Sequence, residues 1–138
     1  MSQYTKLEVK ADYLIEIEAA AIAMAREAGQ ILEGYFQQTL KVSYKDSAMT
    51  NAVTDADEAI QAFLKSSINR QFPTHGIVAE EDKDGDTSIA PDFLWIIDPI
   101  DGTTNFIHRL PMYACSIGVF YKGNPVAASL FIPWPNEQ

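Results

Sequence analysis

The sequence predicts an α+β chain: two N-terminal helices packed on a mainly antiparallel sheet. Three observations predict it. Apolar residues recur at helical spacing through the first quarter of the chain. A second amphipathic segment follows, opened by a capping pattern. After Pro73 the pattern switches to short apolar runs separated by turn residues. A block of helices followed by a block of strands favours segregated layers over alternating βαβ units.

The first helix is expected over residues 14–37. Leu14, Ile17, Ala21, Met24, Ala25, Ala28, Ile31, Leu32 and Tyr35 share one face. Asp12 is the candidate cap at its start, and Gly34 weakens its last turn. A short strand over 40–44 and a polar loop over 45–51 follow. The second helix begins near Thr54, and Ile60, Phe63, Leu64 and Ile68 give it one apolar face. Pro73 and Gly76 stop it. Strands are expected over 76–79, 93–98, 113–121 and 126–132. Gly123-Asn124-Pro125 is a turn signal, so the last two strands form a hairpin. The sequence then runs out on a strand entering a turn. That would leave the hairpin near an unprotected edge, which suggests a truncated chain.

At 138 residues the chain is about one domain, and 47% apolar residues can fill a core. The net charge of -9 argues against a nucleic-acid partner, whose backbone calls for a basic face. Acidity instead suits a solvated surface or a carboxylate cluster that holds cations. The single cysteine, Cys115, lies in an apolar run and reads as a small buried hydrophobe rather than a nucleophile. The first eight residues hold no apolar stretch of the signal-peptide kind, and no run approaches the ~18 apolar residues of a membrane helix. A cytoplasmic protein without a membrane partner is the expectation.

The segment most informative about chemistry is Trp95-Ile96-Ile97-Asp98-Pro99-Ile100-Asp101-Gly102-Thr103-Thr104-Asn105-Phe106. An apolar strand ends in a carboxylate, and a second carboxylate follows three residues later, past a proline. Two carboxylates with a backbone carbonyl between them can offer three oxygens to a hard cation such as Mg²⁺. Pro99 stiffens the turn, and Gly102 lets the backbone approach a ligand. A short helix opening at Thr103 would turn free N–H groups toward an anion. The same string also reads as two ordinary turns, Asp-Pro and Asp-Gly. Glu80 stands at the end of another strand and is a second candidate ligand. The acidic residues after it, Asp82, Asp84 and Asp86, read as a solvated loop. They do not form a calcium loop, because the twelfth position would be Pro91 and strands flank it. Thr54 with Asp57 approximates a capping box, which alone would explain both residues. The functional alternative is that Asp57 also reaches the metal site and accepts a proton. His75 and His108 read as surface or packing residues.

Taken in order, these elements resemble the inositol monophosphatase family. The DPxDGTxxF string is matched from Asp98 to Phe106, the upstream Glu-Glu by Glu80-Glu81, and the Val-Thr-x-x-Asp helix start by Val53, Thr54 and Asp57. The resemblance implies a layered α/β sugar-phosphatase-type fold whose C-terminal half is missing here. It implies that Glu80, Asp98, Asp101 and the carbonyl of Ile100 bind Mg²⁺, with two or three ions in the complete enzyme. Thr103, Asp57 and Glu80 would serve catalysis, and Asp101, Gly102 and Thr103 would bind the substrate phosphate. Lys45 is similar in place to a lysine of the family's mobile loop, and Asn51 stands where the family often has Asp. A further aspartate in a Trp-Asp motif has no counterpart, since the two tryptophans precede Ile96 and Pro135.

The implied reaction is hydrolysis of a small phosphate monoester by activated water, without a phosphoenzyme. Inositol 1-phosphate is the first choice of substrate. Fructose 1,6-bisphosphate, adenosine 3′,5′-bisphosphate, histidinol phosphate and NADP are the alternatives. The isolated chain is expected to be weakly active or inactive, and an inactive fragment with an assembly role is the competing reading. The family resemblance also implies a homodimer.

Overall fold

The computed structural model describes residues 9–37, 42–44, 52–79 and 91–133; for 42–44, 52 and 53 it describes the backbone path alone. Two helices cover one face of a four-stranded mixed sheet.

Helix α1 runs Ala11–Phe36. Ile17, Ala20, Ala21, Met24, Ala25, Ala28 and Leu32 are buried along one stripe, close to the expected face. The helix begins a turn earlier than its periodicity suggests. Lys10 is the N-cap residue and makes no side-chain cap. Asp12 therefore does not cap; it lies inside the first turn, where a negative charge complements the helix dipole. At the other end the Arg109 guanidinium donates to the Phe36 carbonyl, placing a cation on a carbonyl that the helix leaves unbonded.

Strands β1 (Val42–Tyr44) and β2 (Ala52–Thr54) form a short antiparallel ribbon. Helix α2 (Asp55–Gln71) starts from Thr54 with a complete capping box. Its buried stripe is Ala56, Asp57, Ile60, Leu64, Ser67 and Ile68. Strand β3 (Gly76–Ala79) then pairs parallel with β4 (Phe93–Asp101). After the short helix α3 (Thr103–Ile107), β5 (Ala114–Tyr121) and β6 (Asn124–Phe131) add antiparallel, giving the order β3-β4-β5-β6.

Trp95 and Ile97 of β4 and Cys115, Ile117 and Val119 of β5 point toward the helices and are buried. Helix α1 lies against β6 at Gly29, where a Cβ would stand 2.3 Å from the Phe131 ring. The hairpin between β5 and β6 turns on Lys122 and Gly123, with φ of 47° and 83°. Tyr121 pairs with Asn124 across it. Two left-handed residues in succession match the twist of the flanking strands. The turn thus sits one residue before the Gly-Asn-Pro signal, and Asn124 and Pro125 already belong to β6.

His75 joins three elements. Its ring is stacked between Phe72 (4.8 Å) and Phe93 (4.5 Å). Trp95 Nε1 donates to His75 Nδ1 at 2.9 Å, and Nε2 lies 2.9 Å from the Tyr13 hydroxyl. An indole N–H only donates, so Nδ1 carries no proton and Nε2 does. His75 is a packing residue, as expected. His108 is exposed at the end of α3.

The far face of the sheet is apolar and uncovered among the described residues. Cross-strand register puts Val78, Ile96, Gly118 and Ala128 in one row and Leu94 beside Phe120 in the next. Val78, Ile96 and Leu130 are 36%, 43% and 61% exposed.

Candidate active site

The site is built where β4 leaves regular pairing. Asp98 pairs with Ser116, and Asp101 pairs with Ala114. Three steps on β4 therefore match two on β5, which is a one-residue bulge. The bulge decides where the carboxylates point. Residues three apart on a regular strand face opposite sides. Ser116 and Ala114, two apart, face the same side, so their partners Asp98 and Asp101 do too. Pro99 fits here because it has no N–H to offer the ladder. Asp98 is half-buried with Oδ1 shielded from solvent, and Asp101 is exposed. The strand was expected to end at Asp98; it continues through Asp101.

Gly102 follows with φ of 88°, a left-handed conformation that disfavours any side chain. It turns the chain into α3, and Thr103 becomes the first helical residue. The Thr103 hydroxyl lies 3.1 Å from the Ile100 carbonyl and 3.2 Å from Asp57 Oδ1. Helix α2 supplies Asp57 from below. Its Oδ2 accepts from the Thr54 N–H at 2.9 Å and from the Thr54 hydroxyl, while its own N–H donates to Thr54 Oγ1 at 3.2 Å.

Asp57 is fully buried. Burial raises its pKa above the ordinary carboxylate range, against the lowering effect of hydrogen bonds from Thr54 and Thr103. The capping box leaves one oxygen over: Oδ2 caps the helix, and Oδ1 meets Thr103. Cys115 is buried on the helix-covered side of the sheet, the side away from Asp98. Burial and then the Asp98 charge push its thiol up to about 12, so it stays protonated and unreactive.

The structure joins Thr103 to Asp57 and to the Ile100 carbonyl, and the bulge sets Asp98 and Asp101 on one face just before Gly102. Glu80, Lys45 and Asn51 lie outside the described residues. Among the described residues no three acidic, histidine or cysteine side chains gather tightly enough to hold an ion. The donors present are two carboxylates on one face and a carbonyl that keeps a second lone pair after accepting from Thr103. An oxygen-only set fits a hard cation such as Mg²⁺ and does not suit zinc or copper. The bulge was the feature missed from sequence, and the only signal for it was a proline inside a strand.

Helices on one face of a mixed sheet, with a carboxylate pair at a strand end, define a layered sugar-phosphatase-type fold. Solved structures agree: the chain superposes on the IMPase of Thermotoga maritima with a TM-score of 0.75 and 30% identity, covering 86% of this chain and 44% of that one. Residues 14–138 match the inositol monophosphatase family, and the chain belongs to it. It is 42% identical to human inositol monophosphatase 1 over 100 residues, which are 71% of this chain and 36% of the relative. It is 36% identical to the Escherichia coli K12 protein named Nus factor SuhB over 117 residues, 85% of this chain and 43% of that protein. The chain thus spans less than half the length of these relatives.

Proposed function

We propose that this chain is the N-terminal part of a Mg²⁺-dependent phosphatase that hydrolyses a small phosphate monoester, with inositol 1-phosphate the first choice. The observation that carries the reading is the bulge. It sets Asp98 and Asp101 on one face and leaves the Ile100 carbonyl beside the Thr103–Asp57 pair. Glu80, Asp98, Asp101 and the Ile100 carbonyl would hold the metal, one domain's share of a two- or three-ion centre. Bound there, Mg²⁺ would supply charge neutralisation for the phosphate and a lowered pKa for water.

The chain's own residues do the rest. The Thr103 hydroxyl has one proton, and Ile100 and Asp57 compete for it. When it donates to Asp57 Oδ1, its lone pairs can accept from a water molecule. A proton leaving that water passes to Thr103 as the Thr103 proton passes to Asp57. The raised pKa of Asp57 brings it nearer to that of a useful base. Asp101 and the N–H groups of Gly102 and Thr103 would orient the phosphate. A cytoplasmic homodimer that binds no nucleic acid is part of the same proposal, supported by the charge of -9 and by family membership. Because the chain spans under half of its relatives, an inactive fragment with an assembly role is the second reading.

The test is phosphate release from inositol 1-phosphate, with Mg²⁺ and with chelator. The proteins are this chain, a chimaera carrying the remaining half of the Thermotoga maritima relative, and the same pair with Asp101→Asn. Metal-dependent release by the chimaera, lost at least 100-fold on substitution, is expected. No release from a folded chimaera would overturn the phosphatase reading.

A further inference from the structure

The carbonyl of Met112 sits directly over Gly102. A Cβ built on Gly102 would be 2.8 Å from the Met112 oxygen and 3.5 Å from Asn105 Nδ2. Asn105 Nδ2 donates to that same oxygen at 2.9 Å. Asn105 also accepts at its backbone carbonyl from Leu110 N–H at 2.8 Å, and Met112 N–H donates to the Leu110 carbonyl at 2.8 Å. The return segment is therefore sewn to α3 by one residue at two points. Behind it Tyr113 packs edge-on to Phe106 at 4.9 Å.

We propose that Asn105 is a positioning residue: by tying the Met112 carbonyl over Gly102, it fixes the left-handed turn that carries Thr103 to Asp57. Sterics and bonding cooperate here. Only glycine leaves room for the carbonyl, and only a short side chain with an N–H can hold it. Aspartate has the same shape but, ionised, has no proton to donate and would repel the carbonyl. Glutamine reaches a methylene too far. Released from the latch, Gly102 has wide conformational freedom, and the 3.2 Å contact between Thr103 and Asp57 depends on where that turn points. The effect on turnover rests on the phosphatase reading above; the latch itself does not.

The experiment is ¹⁵N NMR on the 138-residue chain, wild type beside Asn105→Asp. In the wild type the Asn105 side-chain N–H₂ should resonate away from the free-amide position and exchange slowly. In N105D the Gly102 and Thr103 amides should shift at pH 7, and the melting temperature should stay within about 4 °C, the mark of a lost bond worth about 1 kcal/mol. Toward pH ~4 the introduced carboxyl regains a proton to donate, and those two amides should move back toward wild-type positions. A merely structural defect would not reverse. A free-amide signature for Asn105 in the wild type would overturn the proposal, even if N105D fails to fold. So would unshifted Gly102 and Thr103 amides. In the chimaera, N105D should lower kcat at least tenfold with KM changed less than threefold. Loss of that split with an active wild type sinks the positioning role, whereas an inactive wild-type chimaera sinks only the phosphatase reading.

Discussion

Asp57 serves two masters, and its chemistry can be separated from its structural role. One oxygen closes the cap on α2, and the other meets Thr103. Asparagine can keep both contacts: its carbonyl accepts from Thr54, and its N–H₂ faces a hydroxyl that can accept. The raised pKa means that the folded state disfavours the ionised form. The sign follows: this group's contribution is most favourable below the unfolded carboxylate pKa and is lost as pH rises through the folded value. Asp57→Asn should therefore be at least as stable as wild type at pH 7, and any advantage should shrink toward pH 4. Urea midpoints at the two pH values check this. In an active full-length background the same change should cost about 10²–10⁴ in kcat, the usual scale for a lost general base. The cap was legible in sequence because Thr-x-x-Asp is a local pattern. The Thr103 contact was not, because it spans 46 residues and only the family resemblance suggested it.

At the element scale, the joints between helices and strands are where sequence and structure part. His75 reads in sequence as a surface or packing residue within a turn. Folding places it between α1, α2 and β4, where it accepts from Trp95 Nε1. Burial lowers its pKa, since the charged ring would lose its water. Its contribution to stability is present above the unfolded histidine value of about 6.5 and is lost as pH falls through the lower folded value. The unfolding free energy from urea melts should thus drop between pH 7.5 and 5, with a slope of at most about 1.4 kcal/mol per pH unit. His75→Phe should flatten that drop. The hairpin gives the opposite kind of lesson. Its existence was legible, but its centre was displaced by one residue, because Gly-Asn-Pro competes with a turn whose first residue is lysine. Lys122 in the left-handed region costs about 1 kcal/mol. Its contact with the Tyr121 ring at 5.3 Å returns about 0.5 kcal/mol. Lys122→Asn should therefore stabilise by roughly 0.5 kcal/mol, read as a higher urea midpoint with unchanged slope.

On the scale of the whole molecule, the layered α+β class was legible because burial periods of 3.6 and 2 appear in separate blocks. The parallel pairing of β3 with β4 was not, since no local pattern encodes strand direction. Among the described residues the sheet is apolar on both faces, and the helices cover one of them. A face carrying Val78, Ile96 and Leu130 at 36–61% exposure should bind the dye ANS and drive self-association. Sedimentation coefficients should rise with concentration, and Leu130→Lys should suppress the rise; a chain that stays monomeric at all concentrations would refute this. The carboxylate pair belongs to the same sheet and inherits its geometry. Pro99 and Ile100 could change identity and still leave Asp98 and Asp101 on one side. Deleting either residue would remove the bulge: the two acids would still share a side, but only one backbone carbonyl would be left between them. The segment is thus held more tightly in length than in composition. Among variants of this chain, a one-residue gap between the two aspartates would remove a backbone oxygen that every substitution between them keeps.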